Sequence, residues 1–226
     1  MNKPIFFLHI TKTGGQTIEE LLRRNYSEVM QFTHDKDYSG LPKNKEVYMG
    51  QVANYTSDML DISFKFSFVR DPIDRLVSFY NYYKLHNHRG AQWIHNDGTV
   101  ERYEVNSQLP LIEFFGQEGI KKVAFNRMTR DFGSKEPLFS LDPMDEVYDR
   151  AIKNIDYYDF IGIFEEFDTS MSKLGKLLGK DFEQLHVNKA KKLKKDITKK
   201  EREFLQPFVE YDQKVYDYCL KKFKNG

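Results

Sequence analysis

The 226-residue chain contains one cysteine, Cys219, so no disulfide can form within it and a disulfide scaffold is excluded. Cys219 falls in an apolar helical pattern near the end of the sequence, where the expected role is that of a small buried hydrophobe. Long hydrophobic runs are also missing. The first apolar stretch, Ile5 to Ile10, is far shorter than the roughly 20 residues that span a bilayer and too short for the core of a secretion signal. A cytoplasmic protein with no membrane span is expected. Nor is there an excess of charge of either sign: 35 Lys+Arg stand against 34 Asp+Glu, so no overall field favours nucleic acid or an anionic membrane, and any anion site must be local. Metal-ligand spacings such as His-x-x-x-His or Cys-x-x-Cys do not occur, and no metal is expected.

What is present is apolar and aromatic. Hydrophobic residues make up 40% and aromatics 15%, with 14 Tyr and 19 Phe, more than a disordered chain carries. The length suits a single domain over residues 1–226 with one well-buried core.

Ile5 to Ile10 reads as a buried strand ending in Thr11-Lys12-Thr13-Gly14-Gly15, after which Ile18, Leu21 and Leu22 recur at helical spacing. Residues 27–45 carry polar and turn-forming types and read as loop. A short strand is expected at Glu46 to Met49 and another at Phe64 to Val69, the latter running into Arg70-Asp71-Pro72. Aspartate followed by proline signals a helix start, and Asp142-Pro143 repeats that signal. Residues 86–107, with His86, His88, Trp93 and His95, read as an irregular excursion of the kind that often binds a ligand. Asp159 to Phe164 is a further strand, and Phe167 to Leu178 an amphipathic helix ended by Gly179. Thr198 with Glu201 forms a capping box, and Pro207 should interrupt the last helices. Strands alternating with helices and no strong hairpin signal imply an α/β fold, a three-layer α/β/α domain around a mainly parallel sheet. Sites in such sheets lie beyond the C-terminal ends of the strands.

Two motifs fall there. In His9-Ile10-Thr11-Lys12-Thr13-Gly14-Gly15-Gln16-Thr17 a glycine loop leads from a strand into a helix N-terminus. Backbone N–H groups, the helix dipole, the Lys12 charge and the Thr17 hydroxyl together make an anion cradle, the simpler alternative being a tight turn. The loop is not a Walker A motif, because its lysine precedes the glycines, and an ordinary ATP or GTP site is disfavoured. In Phe68-Val69-Arg70-Asp71-Pro72 and the helix after it, Arg70 at a strand end and Ser78 about two turns later could reach one phosphate. Alternatively, Arg70 pairs with a carboxylate such as Asp74.

Together the motifs resemble the sulfotransferase superfamily, in particular the branch of heparan and chondroitin sulfate O-sulfotransferases and their small bacterial relatives. Two further segments strengthen the likeness: Asn126-Arg127-Met128-Thr129-Arg130 is similar to a recurring Asn-x-x-Thr-Arg element, and Phe160 to Phe167 to a strand-to-helix segment. The resemblance implies a P-loop-like fold and the co-substrate 3′-phosphoadenosine 5′-phosphosulfate (PAPS), with PAP as product. It implies that Lys12, Thr13, Gly14, Gly15, Gln16 and Thr17 hold the 5′ end of the nucleotide and that Arg70 and Ser78 hold its 3′-phosphate. Asn188 and Lys189, from the lysine-rich loop after His186, would close over the nucleotide, although most lysines of that loop also read as a solvated face. The acceptor would be a hydroxyl on a carbohydrate or small molecule. Lys12 would be the catalytic cation, since sulfuryl transfer, like phosphoryl transfer, builds charge on the leaving oxygen.

One position departs from the family. Its usual general base is a histidine following a glycine between the two motifs, and here Gly50 is followed by Gln51, which cannot take a proton. His34, in the same interval, is the first substitute, with His86, His88 and His95 as further acceptor-side candidates. The alternative is a homologue that binds PAPS, PAP or a glycan without turnover.

Overall fold

The computed structural model describes residues 4–32, 44–58, 60–94, 100–135, 142–182 and 196–225. In chain order β1 (Ile5–Leu8) leads into α1 (Gly15–Asn25), β2 (Val29–Phe32) and β3 (Val47–Gly50), and the single-turn α2 (Tyr55–Asp58) precedes β4 (Phe64–Val69) and α3 (Pro72–Leu85). Next come β5 (Gly90–Ile94), β6 (Val100–Glu104) and four helices, α4 (Leu111–Gly116), α5 (Glu118–Ala124), α6 (Arg127–Gly133) and α7 (Met144–Asp156). The last elements are β7 (Phe160–Ile163), α8 (Phe167–Leu178), α9 (Lys199–Leu205) and α10 (Glu210–Asn225).

Five strands form one sheet in the order β2-β3-β1-β4-β7, and each neighbouring pair is parallel. All five therefore deliver their C-terminal ends to the same edge. Side chains along β1 alternate between two cores, as the two-residue period of a strand requires. Phe6 and Leu8 join Met128, Ile155 and Val215 on the side of α6, α7 and α10. Ile5 and Phe7 join Ile18, Leu22, Met171 and Leu174 on the side of α1 and α8. The expected three-layer arrangement is thus present, with both faces of the sheet covered, which is why its strands are apolar on both sides. A third cluster packs α3 against α4, α5 and the chain around Phe208, through Leu76, Tyr80, Phe114, Phe115 and Val209.

Chain direction decides where the sheet can hold a ligand. From β1 the chain proceeds to β2 and β3 on one side, whereas from β4 it proceeds toward β7 on the other. The chain leaves β1 and β4 in opposite directions, so the sheet edge between them is a topological switch point, the position favoured for ligands in open parallel sheets. The Lys12 loop follows β1, and Arg70 follows β4.

Three local expectations are corrected. Val29–Phe32, expected as loop, is an edge strand paired with β3. The 86–107 excursion contains an antiparallel pair, β5 with β6. At the second Asp-Pro, the residue capping α7 is Pro143 and no side chain caps the helix, because the Asp142 carboxylate is engaged by Arg150 at 2.5 Å. The first Asp-Pro behaves as expected: Asp71 accepts from the Asp74 N–H at 2.9 Å, with Pro72 opening α3. The Thr198–Glu201 capping box is formed, Gly179 ends α8 in the left-handed region, and Cys219 is fully buried.

Candidate functional site

The loop between β1 and α1 takes its shape from two backbone positions and one contact. Gly14, at φ 90°, and Lys12, at φ 70°, lie in the left-handed region, which costs little for glycine and is uncommon for lysine. The Thr13 hydroxyl is buried and donates to the Ile10 carbonyl at 2.8 Å, tying the loop back to its strand. Gly15 is required by close packing. A Cβ there would lie 2.0 Å from the His9 ring, and that ring is held by a 2.7 Å contact from Nδ1 to Glu19 on α1. The helix N-terminus that results has neither a side-chain cap nor an acidic residue in its first turn, so neither offsets its dipole at the C-terminal edge of the sheet. Gln16 is exposed and Thr17 half-buried at this end.

Arg70 enters from β4 and is 7% exposed. Its Nη1 donates to the Lys12 carbonyl at 3.3 Å, a direct link between the two sequence motifs. The guanidinium lies 4.3 Å from the centre of the Phe164 ring, and the Lys12 ammonium lies 4.2 Å from the centre of the Tyr82 ring. Neither Lys12 nor Arg70 forms an ion pair among the described residues. In particular, Arg70 is not paired with Asp74, whose carboxylate acts on it only at longer range. The Arg70 Nε is buried with no hydrogen-bond partner. Burial, and then the neighbouring Arg70 charge, lower the Lys12 pKa, and burial lowers that of Arg70. Asp74, Glu165 and Asp71 act on Arg70 from beyond salt-bridge distance, and an anion placed between these two partly desolvated cations would stabilise both.

The turn carrying Arg70 is anchored from behind. Glu165, just after β7, accepts the Asp71 N–H at 3.0 Å through one oxygen and the Tyr216 hydroxyl at 3.0 Å through the other. Burial, with Glu165 as a second cause, raises the Tyr216 pKa, so its phenol stays a donor. Ser78 is half-buried on α3, two turns beyond Arg70.

Asn126, Arg127 and Thr129 serve packing. Asn126, in the left-handed region, accepts the Tyr211 and Asp212 N–H groups at 3.0 and 3.2 Å. Asp212 accepts both the N–H and the hydroxyl of Thr129, at 2.8 and 2.9 Å, and pairs with the buried Arg75 of α3 at 3.4 Å. Arg127 pairs with Asp131 at 2.8 Å. This buried network joins α6, α10 and the helix that begins at the Arg70 turn.

Gln51 sits at the C-terminal end of β3 and accepts a 3.0 Å hydrogen bond from the Thr11 hydroxyl, so the departure from the family lies directly beside the Lys12 loop. His34, His95, Asn188 and Lys189 lie outside the described residues. Three contributors escaped the sequence reading: Tyr82, Phe164 and the His9–Glu19 pair. Tyr82 follows Ser78 by one helical turn and Phe164 closes a strand, so each could have been placed at the same edge from its element.

Among the described residues no helix is long and apolar enough to cross a membrane. The family described as "Sulfotransferase family" matches residues 2–222. No curated protein matches the chain. Among solved structures, the sulfotransferase from Alicyclobacillus acidocaldarius covers 98% of this chain over 97% of its own, at 12% identity and a TM-score of 0.49. With the family match spanning nearly its whole length, the chain belongs to the sulfotransferase family.

Proposed function

We propose that this family member works as one domain, PAPS-dependent and cytoplasmic, moving a sulfuryl group to a hydroxyl on a carbohydrate or small molecule. The observation that supports the reading is the convergence of a half-buried Lys12 and a buried Arg70, neither salt-bridged among the described residues, beyond the ends of β1 and β4. A nucleotide with phosphoryl groups at both its 3′ and 5′ positions satisfies two cations at once.

In this reading the loop amides from Thr13 to Thr17 receive the 5′-phosphosulfate. Arg70, with Ser78, receives the 3′-phosphate, and Asn188 and Lys189 close over the nucleotide. The acceptor oxygen attacks sulfur in line while the bond from sulfur to the 5′-phosphate oxygen breaks, and the electron pair stays on PAP. Lys12 is the cation placed for that oxygen, and its partial burial makes its charge count for more than it would in water.

Gln51 supports a second reading, a homologue that keeps the donor site and has lost turnover. Incubation of labelled PAPS with a panel of hydroxyl acceptors separates the two. Label on an acceptor is the expected result, and PAP binding without transfer to any acceptor would favour the second reading.

A further inference from the structure

With Gln51 in place of a base, an acceptor hydroxyl needs another group to take its proton. We propose that this group is His88, on the turn that ends α3, an inference that rests on the sulfotransferase reading above. The Tyr82 ring that holds the Lys12 ammonium also carries two imidazoles, with His86 and His88 centred 4.6 and 4.9 Å from it. Both histidines thus stand one ring away from the cation assigned to the leaving oxygen.

The turn is built to hold them there. Asn87 lies between them at φ 48°, in the left-handed region that a non-glycine residue occupies mostly where its surroundings enforce it. The His86 and His88 N–H groups donate to the Tyr82 and Tyr83 carbonyls at 3.1 and 3.0 Å, and Gln108 donates to the Asn87 side chain at 3.4 Å. The reversal brings both rings back onto one face of α3.

His88 is distinguished from His86 by its surroundings. The His86 residue is exposed, whereas His88 is half-buried beside Tyr82 and Tyr83, its ring centre 5.2 Å from the latter. Its Nε2 is buried and has no hydrogen-bond partner, an uncommon state for a shielded polar atom. In the tautomer protonated at Nδ1 this nitrogen is an acceptor, and an acceptor hydroxyl that reaches it supplies the missing donor. The neighbouring Tyr83 phenol does not compete as a base, because burial pushes its pKa up to about 12. In the step, the acceptor oxygen forms its bond to sulfur, the bond from sulfur to the PAP oxygen breaks with its electron pair, and the hydroxyl proton passes to His88 Nε2.

The test uses the full chain with labelled PAPS, a panel of phenols and monosaccharides, and PAP binding measured in parallel by calorimetry. His88→Ala is expected to lower kcat by about a hundredfold, with PAP affinity preserved and partial rescue by added imidazole, while His86→Ala loses less than about tenfold. His34→Ala, which removes the alternative base, is measured alongside. Unchanged kcat in His88→Ala, a loss that imidazole does not rescue, or a loss in His34→Ala instead would overturn the proposal. So would a wild type that binds PAP and transfers to no acceptor, although the donor site would then stand. A wild type that does not bind PAP would overturn the sulfotransferase reading itself.

Discussion

At Lys12 two unfavourable influences coincide: burial removes water from the ammonium, and Arg70 adds a like charge nearby. Both lower its pKa, and an anion bound between the two cations opposes both. Binding of PAP should therefore raise the Lys12 pKa. Between the pKa of the free protein and the higher one of the complex, binding takes up protons, and affinity falls as pH rises through the lowered pKa of the free protein. Calorimetry in buffers of different ionisation enthalpy measures that uptake, which Lys12→Ala should abolish. The same substitution should cost transfer more than binding, on the order of 3 kcal/mol or roughly a hundredfold in kcat, since the charge matters most as the leaving oxygen becomes anionic. Loss confined to apparent affinity would contradict that role.

The β1–α1 element depends on one close packing, the Gly15 backbone against the His9 ring. Gly15→Ala is expected to destabilise the protein by about 2 kcal/mol, the usual range for overpacking. Because the clash is with one side chain, His9→Ala should recover part of the loss, and a double-mutant cycle by denaturant unfolding should show coupling between the two sites. Additive losses would mean that the clash lies elsewhere. This element was legible in the sequence because its signals are local: an apolar run, two glycines and a helical period in succession. The Asp71-Pro72 start of α3 was legible for the same reason. Asp142-Pro143 carries the same letters, but its carboxylate is drawn away by Arg150, a partner eight residues on that local pattern does not announce. β2 was hidden because Val29-Met30-Gln31-Phe32 is a short edge strand amid polar residues, with only Phe32 buried. The β5–β6 pair was missed although Asp97-Gly98 is a common hairpin signal, since charged residues in Val100–Glu104 mask its alternation. Of the site, Lys12 and Arg70 were found because each ends an apolar strand. Tyr82 was not, because an aromatic in an apolar helix reads first as core.

Across the whole molecule, the buried Arg75–Asp212 pair joins α3 to α10 and, through Thr129, to α6. Removing one partner leaves the other charge buried and uncompensated. Asp212→Leu should cost about 3–5 kcal/mol, while Arg75→Met with Asp212→Leu should recover much of that loss. Thermal unfolding of the three proteins checks it, and an Asp212→Leu melt matching wild type would remove the network from the account of how α3 is held. This scaffold sets Lys12 and Arg70 side by side at the ends of β1 and β4, where they are proposed to select a nucleotide phosphorylated at both ends. Calorimetric titration of the protein with PAP and with ATP measures that selectivity. PAP is expected to bind, ATP to bind much more weakly for want of a 3′-phosphate, and Arg70→Ala to remove most of the difference. Equal affinities for the two nucleotides would contradict it.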